Sequence, residues 1–154
     1  MNLRLLFEYI FYAVIIVIGL IVLGVIKKKN RLPSHAQFKR QLVALLDKLK
    51  TFRKTEQEEE KSNYDFFKKI ADLIYQADKL IYTSSMMANT ERDVEIDSVS
   101  TMIETAKNDL LPYKFGKKDK DDSSGLYDAE KKLEEAVSVL DKILARDIKL
   151  KQKT

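Results

Sequence analysis

The chain has 154 residues, one histidine and no cysteine, which excludes disulfides, thiolate metal sites and cysteine nucleophiles. Its formal net charge is +4, but residues 1–31 carry five Lys or Arg against one Glu, which leaves 23 basic and 23 acidic residues in 32–154. A neutral region of mixed charge gives no general phosphate-binding field, so we expect no nucleic-acid partner.

One uncharged stretch dominates the first part of the chain. From Tyr9 to Ile26 there are 18 residues without a charge, and 13 of them are Leu, Ile, Val or Phe. On the insertion scale these 13 side chains favour the bilayer by about 4 to 8 kcal/mol. With residues 5–7 the apolar segment reaches about 33 Å at 1.5 Å per residue, enough to cross a hydrocarbon core. The sequence therefore predicts one transmembrane helix within an anchor domain of residues 1–31.

A basic cluster follows this helix directly and consists of Lys27, Lys28, Lys29 and Arg31. Positive residues beside a spanning helix are retained on the cytoplasmic side. We therefore predict a short N-terminus outside the cell membrane and a cytoplasmic domain over residues 32–154. The alternatives are an inverted orientation and a cleaved secretory signal. The signal is disfavoured by the length of the apolar run and by the lack of an A-x-A-like site after it.

Four stretches of residues 32–154 carry apolar side chains at helical spacing. They predict helices over about residues 34–60, 63–83, 90–111 and 126–150. Ser34 with Gln37 has the spacing of a capping box at the first helix, and Ser62 is the expected cap of the second. Residues 83–90 are predicted as a connection, with Asn89 or Thr90 capping the third helix. Pro112 and Gly116 are expected to end that helix before an exposed loop over 113–125.

Each predicted helix has one apolar stripe that needs a partner surface. The stripes consist of Phe38, Leu42, Leu45, Leu46, Leu49 and Phe52; Phe66, Phe67, Ile70, Leu73, Ile74, Ala77, Leu80 and Ile81; Ile96, Val99, Ile103, Ala106 and Leu110; and Leu126, Ala129, Leu133, Ala136, Leu140, Ile143 and Leu144. Four such helices predict an all-α fold, an antiparallel (up-down-up-down) four-helix bundle. The same spacing also suits a coiled coil between chains, so a self-associating rod is the alternative.

No residue pattern typical of catalysis is present. His35 lies at a predicted helix start and lacks the mid-helix context of a phosphotransfer histidine, so we interpret it as a structural polar residue. There is no Glu-x-x-His pair, P-loop, GxGxxG or HExxH motif, and the acidic runs at 56–60 and 119–122 are expected to be solvated turns. We expect no enzymatic activity, no cofactor or metal, and no small-molecule substrate.

The antiparallel topology predicts which residues lie at the membrane-proximal end of the bundle. These are Met86 and Met87, expected in a loop, and the basic C-terminal residues Lys149, Lys151 and Lys153. Together with the basic cluster they are candidate contacts for anionic lipid, each charge contributing about 1 kcal/mol near the surface. Four acidic residues at the same end would oppose this contact: Glu91, Asp93, Glu95 and Asp97.

These patterns predict a single-pass membrane protein whose helical bundle acts as a non-catalytic adaptor or scaffold at the cytoplasmic membrane face. Its expected partners are the lipid bilayer and unidentified proteins. One alternative is a membrane-tethered coiled-coil rod that forms a homo-oligomer. Another is a small regulatory or sensor subunit of a larger membrane complex. The residues show no motif that connects the chain with a known family.

Overall fold

The computed structural model describes residues 3–29, 31–58 and 62–152, and the side chains of 3–25, 31–55 and 62–152. The described residues form five helices: α1 (Leu3–Lys29), α2 (His35–Glu58), α3 (Asn63–Glu91), α4 (Val94–Lys114) and α5 (Ser124–Gln152). The chain divides into two compact units, Met1–Leu32 and Pro33–Thr154.

The first unit consists of α1 and part of the linker that follows it. Within the described residues, α1 is the one helix long and apolar enough to cross a membrane, with 23 residues from Leu3 to Val25 and a mean hydropathy of 2.6. At 1.5 Å per residue this segment is about 34 Å long, close to the thickness of a hydrocarbon core. Its side chains are all exposed. Length and composition therefore make α1 a candidate membrane span, and a signal sequence near an N-terminus would meet the same criteria.

The second unit is the predicted up-down-up-down four-helix bundle. Helix α2 packs against α3, α3 against α4, α4 against α5, and α5 closes the ring against α2. Two ion pairs show that α2 and α5 are antiparallel. Lys39, early in α2, pairs with Asp141, and Arg53, later in α2, pairs with Glu130 at 2.7 Å. The predicted fold class is confirmed.

The four predicted stripes form one core, in which most of their members are less than a tenth exposed. Burying a large apolar side chain stabilises a fold by about 1.5 to 3 kcal/mol, so these stripes supply the main driving force for the bundle. The prediction that Phe67 belongs to the core is wrong, because 41% of its surface is exposed. Successive helical residues point about 100° apart, and since Phe66 occupies the core, Phe67 points to the side of α3.

The predicted caps of α2 and α3 are confirmed. The backbone N–H of Ser34 donates to Gln37 Oε1 at 3.0 Å, and the N–H of Gln37 donates to Ser34 Oγ at 3.3 Å. Ser62 Oγ accepts from the N–H of Tyr64 at 3.3 Å. Helices α2 and α3 are therefore separate elements, and residues 59–61 between them lie outside the described residues.

The prediction of a connection over residues 83–90 is wrong, because α3 continues to Glu91. Ser84, Met87 and Ala88 continue the buried face of α3 beyond residue 83. The hydroxyl of Ser84 donates to the backbone carbonyl of Leu80 at 2.8 Å, so this buried polar group is satisfied within the helix. Tertiary packing thus outweighs the low helix propensity of the Ser, Thr and Asn residues in this segment.

The prediction of an exposed loop over residues 113–125 is wrong at both of its ends. Helix α4 passes through Pro112 to Lys114, and Tyr113 is fully buried with its ring centroid 5.8 Å from that of Phe66. The Tyr113 hydroxyl donates to the carbonyl of Asp122 and accepts from the N–H of Gly125 at 3.1 Å. A side chain at Gly125 would place its Cβ 2.7 Å from the carbonyl oxygen of Asp109. The close approach of α4 and α5 therefore requires glycine at this position.

Replacing Tyr113 with phenylalanine is expected to lower the free energy of unfolding by about 1 to 3 kcal/mol, because the buried N–H of Gly125 loses its acceptor. The measurement is urea denaturation of the full chain in detergent micelles, followed by circular dichroism. The matched control is Tyr127→Phe, since Tyr127 is 59% exposed and its change is expected to stay within about 0.5 kcal/mol. Equal stability of the two variants would show that the Tyr113 hydroxyl does not stabilise the loop.

Candidate functional site

A cluster of charged side chains lies at the bundle end where α2 begins. The end cluster, as we name it, combines residues from all four helices of the bundle and the connection between α3 and α4. His35 is the first residue of α2 and Glu91 the last of α3, and Arg146 and Asp147 lie near the end of α5. Antiparallel packing brings these helix termini together. The cluster consists of His35, Glu91, Asp93, Glu95, Arg146 and Asp147.

His35 links three helices. Its Nδ1 atom lies 2.6 Å from Asp147 Oδ2, and its Nε2 atom lies 2.6 Å from Glu91 Oε2. Burial acts to lower the pKa of His35, but the hydrogen bonds and negative charges of Asp147 and Glu91 outweigh it, so that this pKa is raised above 6.5. Only the protonated imidazole has an N–H on both nitrogens and can donate to both carboxylates at once.

Arg146 joins α5 to the start of α4. Its Nη2 atom donates to Asp93 Oδ2 at 2.6 Å and its Nη1 atom to Glu95 Oε2 at 2.7 Å. Asp93 also caps α4, since its Oδ1 atom accepts from the N–H of Glu95 at 2.8 Å and of Ile96 at 3.4 Å. Burial acts to raise the pKa of Asp93, but the hydrogen bonds from Arg146 and the backbone outweigh it and lower this pKa. The cap is therefore Asp93, and the prediction of Asn89 or Thr90 is wrong, because both lie within α3.

A groove between α2 and α3 is the second feature of interest. Helix α2 contacts α3 less extensively than α3 contacts α4, and the space between them opens to solvent. One part of the groove has a volume of about 680 Å³ and an apolar floor that includes Ala44, Leu45 and Leu80. The adjoining part has a volume of about 410 Å³ and is lined by Phe52 and Leu73 together with charged residues of both signs. The groove therefore presents partly apolar surface to solvent along α2 and α3.

Exposed tyrosines lie on the outer face of α3, and two of them, Tyr75 and Tyr82, line this groove. Tyr64, Tyr75 and Tyr82 are separated by 11 and 7 residues, so each returns to within about 20° of the same direction, opposite the buried stripe. Their exposed fractions are 72%, 59% and 69%, and Met86 on the same side is 41% exposed. Lys79 Nζ lies 4.6 Å from the centroid of the Tyr75 ring. We name Tyr64, Tyr75, Tyr82 and Met86 the tyrosine face. The sequence analysis missed it, although the spacing of the tyrosines was the available signal.

The predicted membrane-proximal methionines differ from each other in exposure. Both lie within α3 instead of a loop, because the helix extends past them. Met87 is fully buried in the core, whereas Met86 is at the surface. Met87 is therefore excluded as a surface contact.

The predicted basic contacts are described only in part. Lys149 and Lys151 are exposed in the last turn of α5, and Arg31 is exposed in the linker. Lys153 lies outside the described residues, as do the side chains of Lys27, Lys28 and Lys29 on the last turn of α1.

The acidic residues that were expected to repel anionic lipid are mostly paired. Glu91 contacts His35, and Asp93 and Glu95 contact Arg146. The sequence analysis placed His35 correctly at a helix start but did not find its partners, which lie 56 and 112 residues away along the chain. Three of the four acidic residues at this end are thus engaged in contacts within the bundle.

Among the described side chains there is no group of three or more His, Asp or Glu residues that could hold a metal ion. Comparison of the chain with protein-family models, curated protein sequences and solved structures finds no match. The end cluster and the tyrosine face with its groove are therefore the two features from which a function can be argued.

Replacing Asp93 with alanine is expected to lower the free energy of unfolding by about 1 to 2 kcal/mol, because α4 loses its cap as well as its link to Arg146. Asp93→Asn is the matched control, since asparagine retains the capping oxygen and loses only the charge. A smaller decrease in the free energy of unfolding is expected for it.

The pKa of Asp93 is lowered by folding. Its contribution to the free energy of unfolding is therefore present above pH 3.8 and is lost as the pH falls through the folded-state value. Urea denaturation of the full chain in micelles measures both variants. Equal losses would assign the effect to the ion pair alone.

Proposed function

We propose that this protein is a non-catalytic adaptor of the cell membrane, with α1 as its single transmembrane anchor and the bundle in the cytoplasm. The apolar length of α1 supports the anchor. The basic residues Lys27 to Lys29 and Arg31 support the cytoplasmic side for the bundle, because such residues resist translocation. The proposed role is to hold a partner protein at the membrane face.

The observation that carries this proposal is the exposure of the tyrosine face beside the groove. Three tyrosines and a methionine lie opposite the core with 41% to 72% of their surface exposed, so they contribute little to the burial that stabilises the bundle. Tyrosine and methionine are enriched at protein interfaces, where a tyrosine ring gives a large contact area and its hydroxyl retains a polar partner. The face therefore has the composition of a protein-binding surface.

The occupant that fits this surface best is an amphipathic helix of a partner protein. The groove follows α3 from Lys69 to Thr83, which is about 21 Å at 1.5 Å per residue, or four helical turns. Its apolar floor accepts an apolar stripe. Its charged lining has both signs, so the complementary helix carries acidic and basic residues on the flanks of that stripe. The lining charges are Asp47, Lys48, Lys69, Asp72, Asp78 and Lys79.

This proposal predicts a specific crosslink from the full chain in its native membrane. A photoreactive phenylalanine analogue at position 82 is expected to crosslink to a partner peptide that has an apolar helical stripe with charges of both signs. The same analogue at Tyr127, an exposed tyrosine of α5, is the control and should not form this adduct. In the chain that has the analogue at position 82, Tyr75→Ala is expected to reduce the yield of the adduct by about 30-fold when the partner is subsaturating. This is the effect of losing an interface residue that contributes about 2 kcal/mol to binding. The thermal stability of the bundle should change little, because the Tyr75 side chain is exposed.

Other adducts would contradict the proposal. A crosslink to a second copy of this chain alone would support the self-associating rod, and a crosslink to lipid alone would support membrane contact of α3. Equal recovery of the same peptide from positions 82 and 127 would show that the tyrosine face has no selectivity.

The orientation gives a separate prediction. Replacing Lys27, Lys28 and Lys29 with glutamine is expected to reduce the fraction of molecules whose bundle is on the cytoplasmic side. Protease digestion of right-side-out and inside-out vesicles measures this fraction, and the control is the pair Lys149→Gln and Lys151→Gln at the end of α5. If the unaltered chain is released by alkaline extraction, or is recovered without residues 1–31, α1 is not an anchor.

A further inference from the structure

His35 is the centre of the end cluster, and charged groups surround it from each neighbouring helix. Helix α3 contributes Glu91, and α5 contributes Asp147 together with Arg146, whose Nε atom lies 3.9 Å from Asp147 Oδ1. Arg146 in turn contacts Asp93 and Glu95 at the start of α4. On α2 itself the next charged residue is Lys39, which pairs with Asp141. Around His35 the cluster therefore has four carboxylates against one guanidinium.

We propose that His35 is a pH-sensitive clasp that joins the start of α2 to the ends of α3 and α5 when it is protonated and releases one of them when it is neutral. The two contacts of 2.6 Å, to carboxylates on different helices, are the geometry that supports this inference. The clasp uses residues apart from the tyrosine face, so it stands independently of the proposed partner site.

The release follows from the number of hydrogens on the ring. A neutral imidazole has one N–H, so one of the two carboxylates would face a nitrogen lone pair at 2.6 Å. Repulsion between that lone pair and the carboxylate forces either Glu91 or Asp147 away. Arg146 cannot compensate for both, because it is already engaged with Asp93 and Glu95. Helix α2 then retains a single polar link at its first residue.

The direction of the pH effect follows from the raised pKa of His35, in which the hydrogen bonds and charges of Asp147 and Glu91 outweigh the opposing effect of burial. A group whose pKa is raised by folding stabilises the fold fully below its unfolded value, here 6.5, and this contribution is lost as the pH rises through the folded-state value. The clasp is therefore closed in mildly acidic solution and opens on the alkaline side of pH 6.5. Histidine is the side chain suited to a switch in this range.

The test uses the full chain in detergent micelles and benefits from His35 being its one histidine. The imidazole C–H resonances in an NMR titration between about pH 5 and 9 therefore report this site alone. The expected midpoint lies above 6.5, and Glu91→Gln and Asp147→Asn are each expected to lower it. The control is Lys39→Gln, which removes the ion pair one turn further along α2 and should leave the midpoint nearly unchanged.

Amide hydrogen exchange tests the release itself, with protection factors corrected for the intrinsic pH dependence of exchange. Amides in the first turns of α2, and in the last turns of whichever of α3 and α5 is released, are expected to lose protection as the pH rises through the midpoint. The protection factor is expected to fall by up to about tenfold for each pH unit by which the titration midpoint of His35 exceeds 6.5. Amides around Tyr113 and Leu126, at the opposite end of the bundle, should show no such change. In His35→Gln the pH dependence of protection at the end cluster should disappear.

Several results would overturn the clasp: a midpoint at or below 6.5, a midpoint unaffected by Glu91→Gln and Asp147→Asn, or protection that changes equally at both bundle ends. If His35→Gln fails to fold, the titration of the unaltered chain and of the two carboxylate variants still decides the question. A failure here would leave the proposed partner site untouched, because the crosslinking test depends on other residues.

Discussion

Mutual burial of four apolar stripes is the constraint on which the rest of the bundle depends. Each stripe covers one side of its helix, so no helix can shield its own apolar surface and each needs two neighbours. The closed order α2, α3, α4, α5 gives every stripe two flanking helices. That order brings the first residue of α2 to the ends of α3 and α5. It also brings Arg53 beside Glu130, a pair that is mostly buried between α2 and α5.

The two ends of the bundle are closed by different chemistry. At one end Tyr113 fills the space under the connection to α5, and its hydroxyl bonds backbone groups of that connection. At the other end the helix termini are joined by His35, Arg146 and four carboxylates. Apolar packing and hydrogen bonds to the backbone depend little on pH. The contacts within an ionisable cluster change when one of its groups gains or loses a proton. Since proteins open locally with different free energies, the two ends need not have equal stability at every pH.

Helix α3 has two faces of different composition and exposure. Its inner face supplies a large part of the core, including Ile70 and Met87, whereas its outer face has three exposed tyrosines. Packing of the inner face fixes the backbone of α3, and Tyr75 and Tyr82 of the outer face line the groove. A partner that binds there would meet a preorganised surface and would lose little of its affinity to ordering the bundle.

Local sequence patterns were sufficient to predict the helical character of the chain, the apolar span of α1, most members of the four stripes and the caps at Ser34 and Ser62. These features depend on residues within a turn or two of each other, and local periodicity records them. Packing between the helices keeps residues 83–90 helical, buries Tyr113, and brings His35 into contact with Glu91 and Asp147. Those outcomes depend on which surfaces meet after packing. Contacts between residues far apart in the chain depend on the register between antiparallel helices. The spacing of residues within one helix does not encode this register.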